Sequence, residues 1–202
     1  MPSLNRFQNT VAGLALTALA GTVSAADFSA VPSGAYVLDD THAYINFQYN
    51  HLGLSNPTLS FDDFTVDLDL NTEDPTQSSV NVTVDVASVV TGSEIWHDHL
   101  TGGRWFDVAS HPTITFVSTS VSANDDGTYK VMGDLTVKGE TQPFELDVTI
   151  NGAMNHPMSG KPVVGLDASG GLLRSDFGLG KNAPFISDEV AVSLTIEMKA
   201  AS

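Results

Sequence analysis

Cysteine is absent from this chain of 202 residues. That excludes disulfides, thiolate metal sites, a lipid-anchoring cysteine and c-type haem attachment. Positive charge is scarce: 8 Lys and Arg stand against 24 Asp and Glu, a formal charge of −16. A surface this acidic repels phosphate backbones and anionic headgroups, so nucleic acid is not expected as a partner. Aromatic residues make up only 8% of the chain, thin for the girdles of an integral outer-membrane barrel, and the chain ends Lys199-Ala200-Ala201-Ser202 rather than on an aromatic residue. Catalytic signatures are missing too. There is no G-x-S-x-G elbow and no thiol nucleophile, and no Ser/His/Asp spacing marks a triad, so no enzyme activity is expected.

The chain also lacks a long apolar run. Its best stretch, Val11 to Ala20, follows Arg6 and precedes Val23-Ser24-Ala25. This is the pattern of a cleavable export signal over residues 1–25, too short and too rich in Ala, Gly and Thr to span a bilayer. Export places the remainder, residues 26–202, in the periplasm as one domain that must rely on its hydrophobic core.

What the sequence has in abundance is alternation. Phe64, Val66, Leu68 and Leu70 are interleaved with polar residues, as are Val80 to Val86, Tyr129 to Val137, Phe144 to Ile150 and Val190 to Met198. Successive strand side chains point to opposite faces, so each segment has an oily face and a wet one. The runs at Phe64 and Val80 are expected to extend over 59–71 and 79–89, and further extended segments are expected at Tyr36–Leu38, Ala43–Tyr49, 113–122 and 162–173, giving eight or nine strands. Between them, Ser93-Glu94-Ile95-Trp96-His97-Asp98-His99-Leu100 has no period of two. Ser93 caps a short helix there, and Gly102-Gly103 ends it. With so little helix to cover them, the strands must close on their own apolar face: an all-β, antiparallel sandwich or barrel. An eight-stranded barrel is just wide enough to be filled by side chains or to hold one slender ligand.

Several motifs compete for attention. His97 and His99 stand out among six histidines, and a metal-binding or metal-dependent role centred on them is the alternative function. On a helix, however, residues two apart do not share a face, and no third ligand is indicated. Asp176-Phe177-Gly178 and Gly178-Leu179-Gly180-Lys181-Asn182 imitate kinase and phosphate-loop fragments without their partners. Asn81-Val82-Thr83 is a glycosylation sequon inside a strand. Arg174, a rare cation after Leu172-Leu173, is suited to pair with Asp176 or to meet a polar ligand head.

Taken in order, Tyr36-Val37-Leu38-Asp39 with His42, His51-Leu52-Gly53-Leu54-Ser55, Asp98-His99-Leu100, Trp105-Phe106-Asp107, His111-Pro112-Thr113-Ile114-Thr115-Phe116, Gly133-Asp134-Leu135-Thr136-Val137-Lys138-Gly139 and Arg174-Ser175-Asp176-Phe177-Gly178 resemble the YceI-like family of secreted bacterial proteins. The resemblance implies an extended, antiparallel, eight-stranded lipocalin-like barrel with one short helical insertion. It also implies a long isoprenoid ligand, a polyprenyl or quinone chain or a similar amphiphile, with no other cofactor. The wall candidates are Phe47, Phe64, Val66, Leu68, Val82 and Val84, then Phe116, Leu135, Phe144 and Leu146. Trp96, Leu100, Trp105 and Phe106 are expected at the mouth, with Arg174 beside a ligand head. The protein is expected not to be membrane-integral, and association into a homodimer is left open.

Overall fold

The alternating segments become strands around one interior in the computed structural model, which describes residues 26–201. The export segment expected at 1–25 lies outside the described residues. Among the described residues ten strands form: β1 (Gly34–His51), β2 (Thr58–Phe61), β3 (Phe64–Leu70), β4 (Ser79–Asp85), β5 (Val89–Val90), β6 (Thr113–Ala123), β7 (Tyr129–Val137), β8 (Glu140–Asn155), β9 (Pro162–Leu173) and β10 (Ile186–Ala200). One helix, α1 (Glu94–Thr101), lies between β5 and β6. The wall runs β1-β3-β4-β6-β7-β8-β9-β10, and β10 pairs back with β1, so the barrel closes with eight antiparallel strands. Closure leaves little open edge to template aggregation.

The two short strands complete this count rather than adding to it. β2 pairs with the second half of β1 (Ile45 with Phe61, Gln48 with Thr58), while β3 pairs with the first half (Gly34 with Leu70). β5 pairs with β2 just as β4 pairs with β3. Each couple is therefore one bent strand. The first breaks at Asp62-Asp63. The second breaks at a 3-10 turn over Val86–Ser88, where the Asp85 carboxylate accepts the Ala87 N–H at 2.9 Å. A single strand over 59–71, expected from the alternation, is thus interrupted where two carboxylates leave the wall.

Tyr36–Leu38 and Ala43–Tyr49 are in turn one strand rather than two. The register against β10 jumps between Leu38 (opposite Met198) and Ala43 (opposite Ile196), so Asp39 to His42 bulge outward. The segment from Asn155 to Pro162, which showed no pattern in the sequence, is the tip of the β8–β9 hairpin. The helix begins as expected: the Ser93 hydroxyl accepts the Trp96 N–H, and Glu94 favours the positive end of the helix dipole.

Apolar members face inward and polar ones outward. Val66, Leu70, Val84, Phe116, Leu135, Phe144, Leu146 and Val148 are buried, whereas Thr65, Asp67, Asp69, Asn81, Glu145 and Asp147 are exposed. An outer-membrane barrel needs the reverse, an apolar outer band. At one end, called distal here, the segment before β1 folds across the barrel. Phe28 and Val31 are buried there, and Tyr36 Oη donates to the Pro32 carbonyl at 2.8 Å. At the other end, the mouth, α1 and the loops 51–57 and 174–186 gather.

Candidate functional site

Two cavities lie along the barrel axis. The one at the mouth has a volume of about 190 Å³, and its wall includes Phe47, Val82, Val84, Phe116, Leu135, Phe144 and Leu146. Trp96, Leu100, Trp105, Phe106 and Arg174 line the same space. The distal cavity, of about 100 Å³, is walled by Val66 and Leu68 and ends on Phe28. Val82, Phe116, Leu146 and Leu194 line both, so the two lie end to end with these side chains forming a waist between them. Phe64 is the exception among the wall candidates. It packs between the two core clusters and lines neither cavity, because it sits next to the Asp62-Asp63 break where the wall bends.

Two glycines decide how the rings at the waist and just above it lie. A Cβ on Gly133 would lie 2.4 Å from the Phe116 ring, and one on Gly170 would lie 2.7 Å from the Phe144 ring. Both phenylalanine rings therefore lie against bare backbone, meeting edge to face with centroids 6.3 Å apart.

Near the mouth the wall also has a seam. The β8–β9 ladder stops at Asp147 opposite Ser169, although both strands continue. An outer groove of about 510 Å³ follows this seam and shares Phe144, Leu172, Phe177 and Val190 with the mouth cavity. The Gln142 amide crosses it, donating to the Asp176 carbonyl at 3.3 Å.

The aromatic mouth is built by the chain that leaves α1. Phe106 N–H bonds the Leu100 carbonyl at 2.9 Å and Trp105 N–H bonds the Gly102 carbonyl at 3.0 Å. This tight return puts Trp105 under the barrel rim, 6.5 Å from Trp96 and nearly perpendicular to it. Phe106 packs edge-on against Phe61, which stacks on Phe47.

Arg174 does not pair with Asp176. Its Nε and Nη2 donate to the carbonyls of Ser187 and Ile186 at 2.8 Å each, and Nη1 donates to those of Lys181 (2.9 Å) and Leu179. The guanidinium also rests 5.7 Å from the centre of the Trp105 ring. Burial pulls its pKa below the usual arginine value, with Asp188 and Tyr49 opposing; it remains a cation. A charge this buried is tolerated because four carbonyl dipoles converge on it. Its work is to hold the loop 178–187 in place. The sequence could not show this, since the partners are backbone atoms of a loop with no pattern. Tyr49, also missed among the candidates, lines the mouth cavity, and burial pushes its phenol up despite Trp96 and Arg174.

His97 and His99 are not brought to one point. His97 Nε2 is bonded to the Ala87 carbonyl at 3.0 Å, and His99 stands edge-on to Trp96 at 5.5 Å. Among the described residues, the group with metal-ligand spacing is Asp39, His42 and Glu197 on the outer wall. Lys199 lies 3.9 Å from Asp39 there and already supplies a positive charge.

The profile of the YceI-like domain matches residues 36–198. The chain belongs to the YceI-like family. Among curated relatives of this YceI-like chain, a UPF0312 protein of Yersinia pestis (strain Pestoides F) is 36% identical over 191 residues, covering 93% of this chain and 95% of that protein. Of solved structures, the YCEI protein of Campylobacter jejuni is 26% identical with a TM-score of 0.69, covering 76% of this chain and 90% of that one. A polyisoprenoid binding domain from Saccharophagus degradans, implicated in plant cell wall breakdown, shares the fold at 16% identity. Its TM-score is 0.62, and the match covers 82% of this chain and 98% of that domain.

Proposed function

We propose that this YceI-like barrel is a carrier of a long isoprenoid lipid or a similar amphiphile, which it threads along its axis without chemical change. The observation that carries the reading is the pair of apolar cavities lying end to end along the barrel axis, from the aromatic mouth to Phe28. Water gains little in such a space, whereas each methylene-sized group of a chain moved into it is worth about 0.8 kcal/mol. The solved domain named for polyisoprenoid binding, which shares this fold, is consistent with it. Summed over a long prenyl tail that figure passes the ceiling of roughly −20 kcal/mol on non-covalent affinity, so ordering of the flexible chain offsets much of it. Selectivity then rests on the length of the paired cavities and on the groups at the mouth.

Residues 1–25 direct export on this reading, and the carrier works in the periplasm, where strong negative charge keeps it soluble without disulfides. Protein purified from its host without detergent is expected to release a prenyl lipid on organic extraction, identified by mass spectrometry. Sequencing of the same sample is expected to begin at Ala26 or Asp27. Recovery of lipid-free protein that also fails to take up a prenyl chain in vitro overturns the carrier reading.

A further inference from the structure

The three elements around the mouth share a pattern. Each passes within a few residues from a side chain lining the cavity to an apolar side chain left in solvent. Tyr49, Trp96 and Ile186 line the cavity. Close to them in the chain, Leu54 is 82% exposed, Ile95 84% and Phe185 73%, and Leu52 is half exposed. None of these four lines the cavity, so holding a ligand does not account for them. Single exposed apolar residues are ordinary, but a set around one opening into an apolar space marks a contact surface.

The backbone that presents them is braced. The Leu54 N–H bonds the His51 carbonyl at 2.9 Å, closing a β-turn whose central residues Leu52 and Gly53 have φ of 59° and 71°. Turns with positive φ at both centres favour Gly, Asn or Asp, so a leucine there costs backbone strain. Asn50 Oδ1 accepts the Gly53 N–H at 2.7 Å, and the Leu52 N–H donates to the Phe185 carbonyl at 2.9 Å, tying the two loops together. Leu52, Leu54 and Phe185 thus stand on one ledge beside the opening.

Charge restricts what this ledge meets. Acids number 24 among 202 residues, yet none occurs from Thr41 to Phe61 or from Phe177 to Ser187. The exposed cations Arg104 and Lys181 stand at its edge, where Arg104 Nη2 donates to Asn182 Oδ1 at 3.4 Å. On the helix side Ile95 is flanked by exposed Glu94 and Asp98, so the acid-free part is the two loops. Apolar tips edged by cations suit a bilayer interface, where side chains enter the acyl boundary and cations meet headgroup phosphates. A second copy seated face to face on the same ledge would instead cover both openings.

We infer that Leu52, Leu54 and Phe185 dock the mouth on the surface of a lipid bilayer with zwitterionic headgroups, so that a lipid passes between membrane and barrel without crossing water. The contact is peripheral and brief. Few side chains enter, and the formal charge of −16 opposes approach to an anionic surface. This rests on the carrier reading for its purpose and adds where the carrier is loaded.

Flotation with phosphatidylcholine vesicles tests the docking without any ligand. The purified chain is expected to float with the vesicles, and less so as phosphatidylglycerol replaces phosphatidylcholine. Leu54→Ser and Phe185→Ser are each expected to cut partition about tenfold, the value of one large apolar side chain left in water. Leu54→Trp is expected to strengthen partition, with a blue shift of its fluorescence on the vesicles. Met158→Ser, at a residue 90% exposed on the tip of the β8–β9 hairpin at the distal end, is expected to change nothing. A chain that does not float, an equal loss in Met158→Ser, or self-association that Leu54→Ser abolishes without any vesicle binding each overturns the inference. Uptake of a tetraprenyl probe dispersed in buffer separates the two readings. Uptake without flotation overturns the docking alone, and flotation without uptake overturns the carrier reading alone.

Discussion

The two halves of the barrel interior are walled by the same kind of residue yet built to different ends. The distal half is plugged by Phe28, and Met198, Val164 and Tyr36 are among its most buried side chains. The mouth half contains the bent strands, the β8–β9 seam, the only α-helix among the described residues, and the cavity lined by Tyr49, Trp96, Trp105 and Arg174. One half supplies length and the other supplies chemistry. A regular sheet can only offer alternate side chains at fixed spacing, so breaks in the sheet are where loops bring in groups of another kind.

Substitutions can separate the halves, and the largest effect is expected from Arg174→Met. It leaves the carbonyls of Leu179, Lys181, Ile186 and Ser187 buried without a donor. A loss of about 3–5 kcal/mol is expected in urea unfolding, together with release of the loop 178–187, read as faster hydrogen exchange there and not in β7. A loss below 1 kcal/mol would show that the loop is held by other means. Phe28→Ala acts on the opposite end. It removes a buried ring at a cost of about 3 kcal/mol and lengthens the distal cavity, so the chain-length distribution of bound prenyl lipid is expected to shift upward with no change in head preference. An unchanged distribution would mean that Phe28 does not limit the bound chain.

Gly133→Ala addresses the waist between the halves. The added methyl meets the Phe116 ring at 2.4 Å and the Val117 carbonyl at 2.6 Å, so a cost of about 2 kcal/mol is expected. With Phe116 pushed inward, long chains should bind more weakly than chains short enough to stay in the mouth half. Equal weakening of both would place the constriction elsewhere. Ser93→Ala removes the cap of α1 and is expected to cost about 1 kcal/mol by thermal unfolding, without altering the distal half.

The smallest effect is expected on the outer wall. Lys130 is held above the usual lysine pKa first by its hydrogen bond to Glu145 and then by that to Asp147, 3.1 Å away. A raised folded pKa stabilises below the ordinary lysine pKa of about 10.4 and loses that contribution as pH rises through the shifted value. The group is solvent-screened, so Lys130→Gln should move the unfolding midpoint at pH 7 by no more than measurement error at 0.15 M salt. A clear shift would reveal a stronger ion network than the distances suggest.

The fold was largely legible before any coordinates. Period-two runs such as Val80 to Val84 and Phe144 to Ile150 became strands with those residues inward, and Ser93 capped the helix as its chemistry requires. The site was less so. Alternation identifies which residues face inward but not how far along the axis they sit, so Val66 and Leu68 fell in the distal cavity and Phe64 in neither. Arg174 illustrates the limit most clearly: its sequence neighbour Asp176 was the obvious partner, yet its actual partners are carbonyls up to thirteen residues away.

By itself the sequence determined the two-faced strands, the closed sheet they demand and the capped helix, because these follow from local periodicity and hydrogen-bonding chemistry within a few residues. Only the tertiary structure decided that the interior holds two cavities with a waist between them, a plugged end and an aromatic mouth. Those features depend on which side chains from distant strands meet across the lumen, and on two glycines that let rings lie flat, and a linear pattern carries no measure of either.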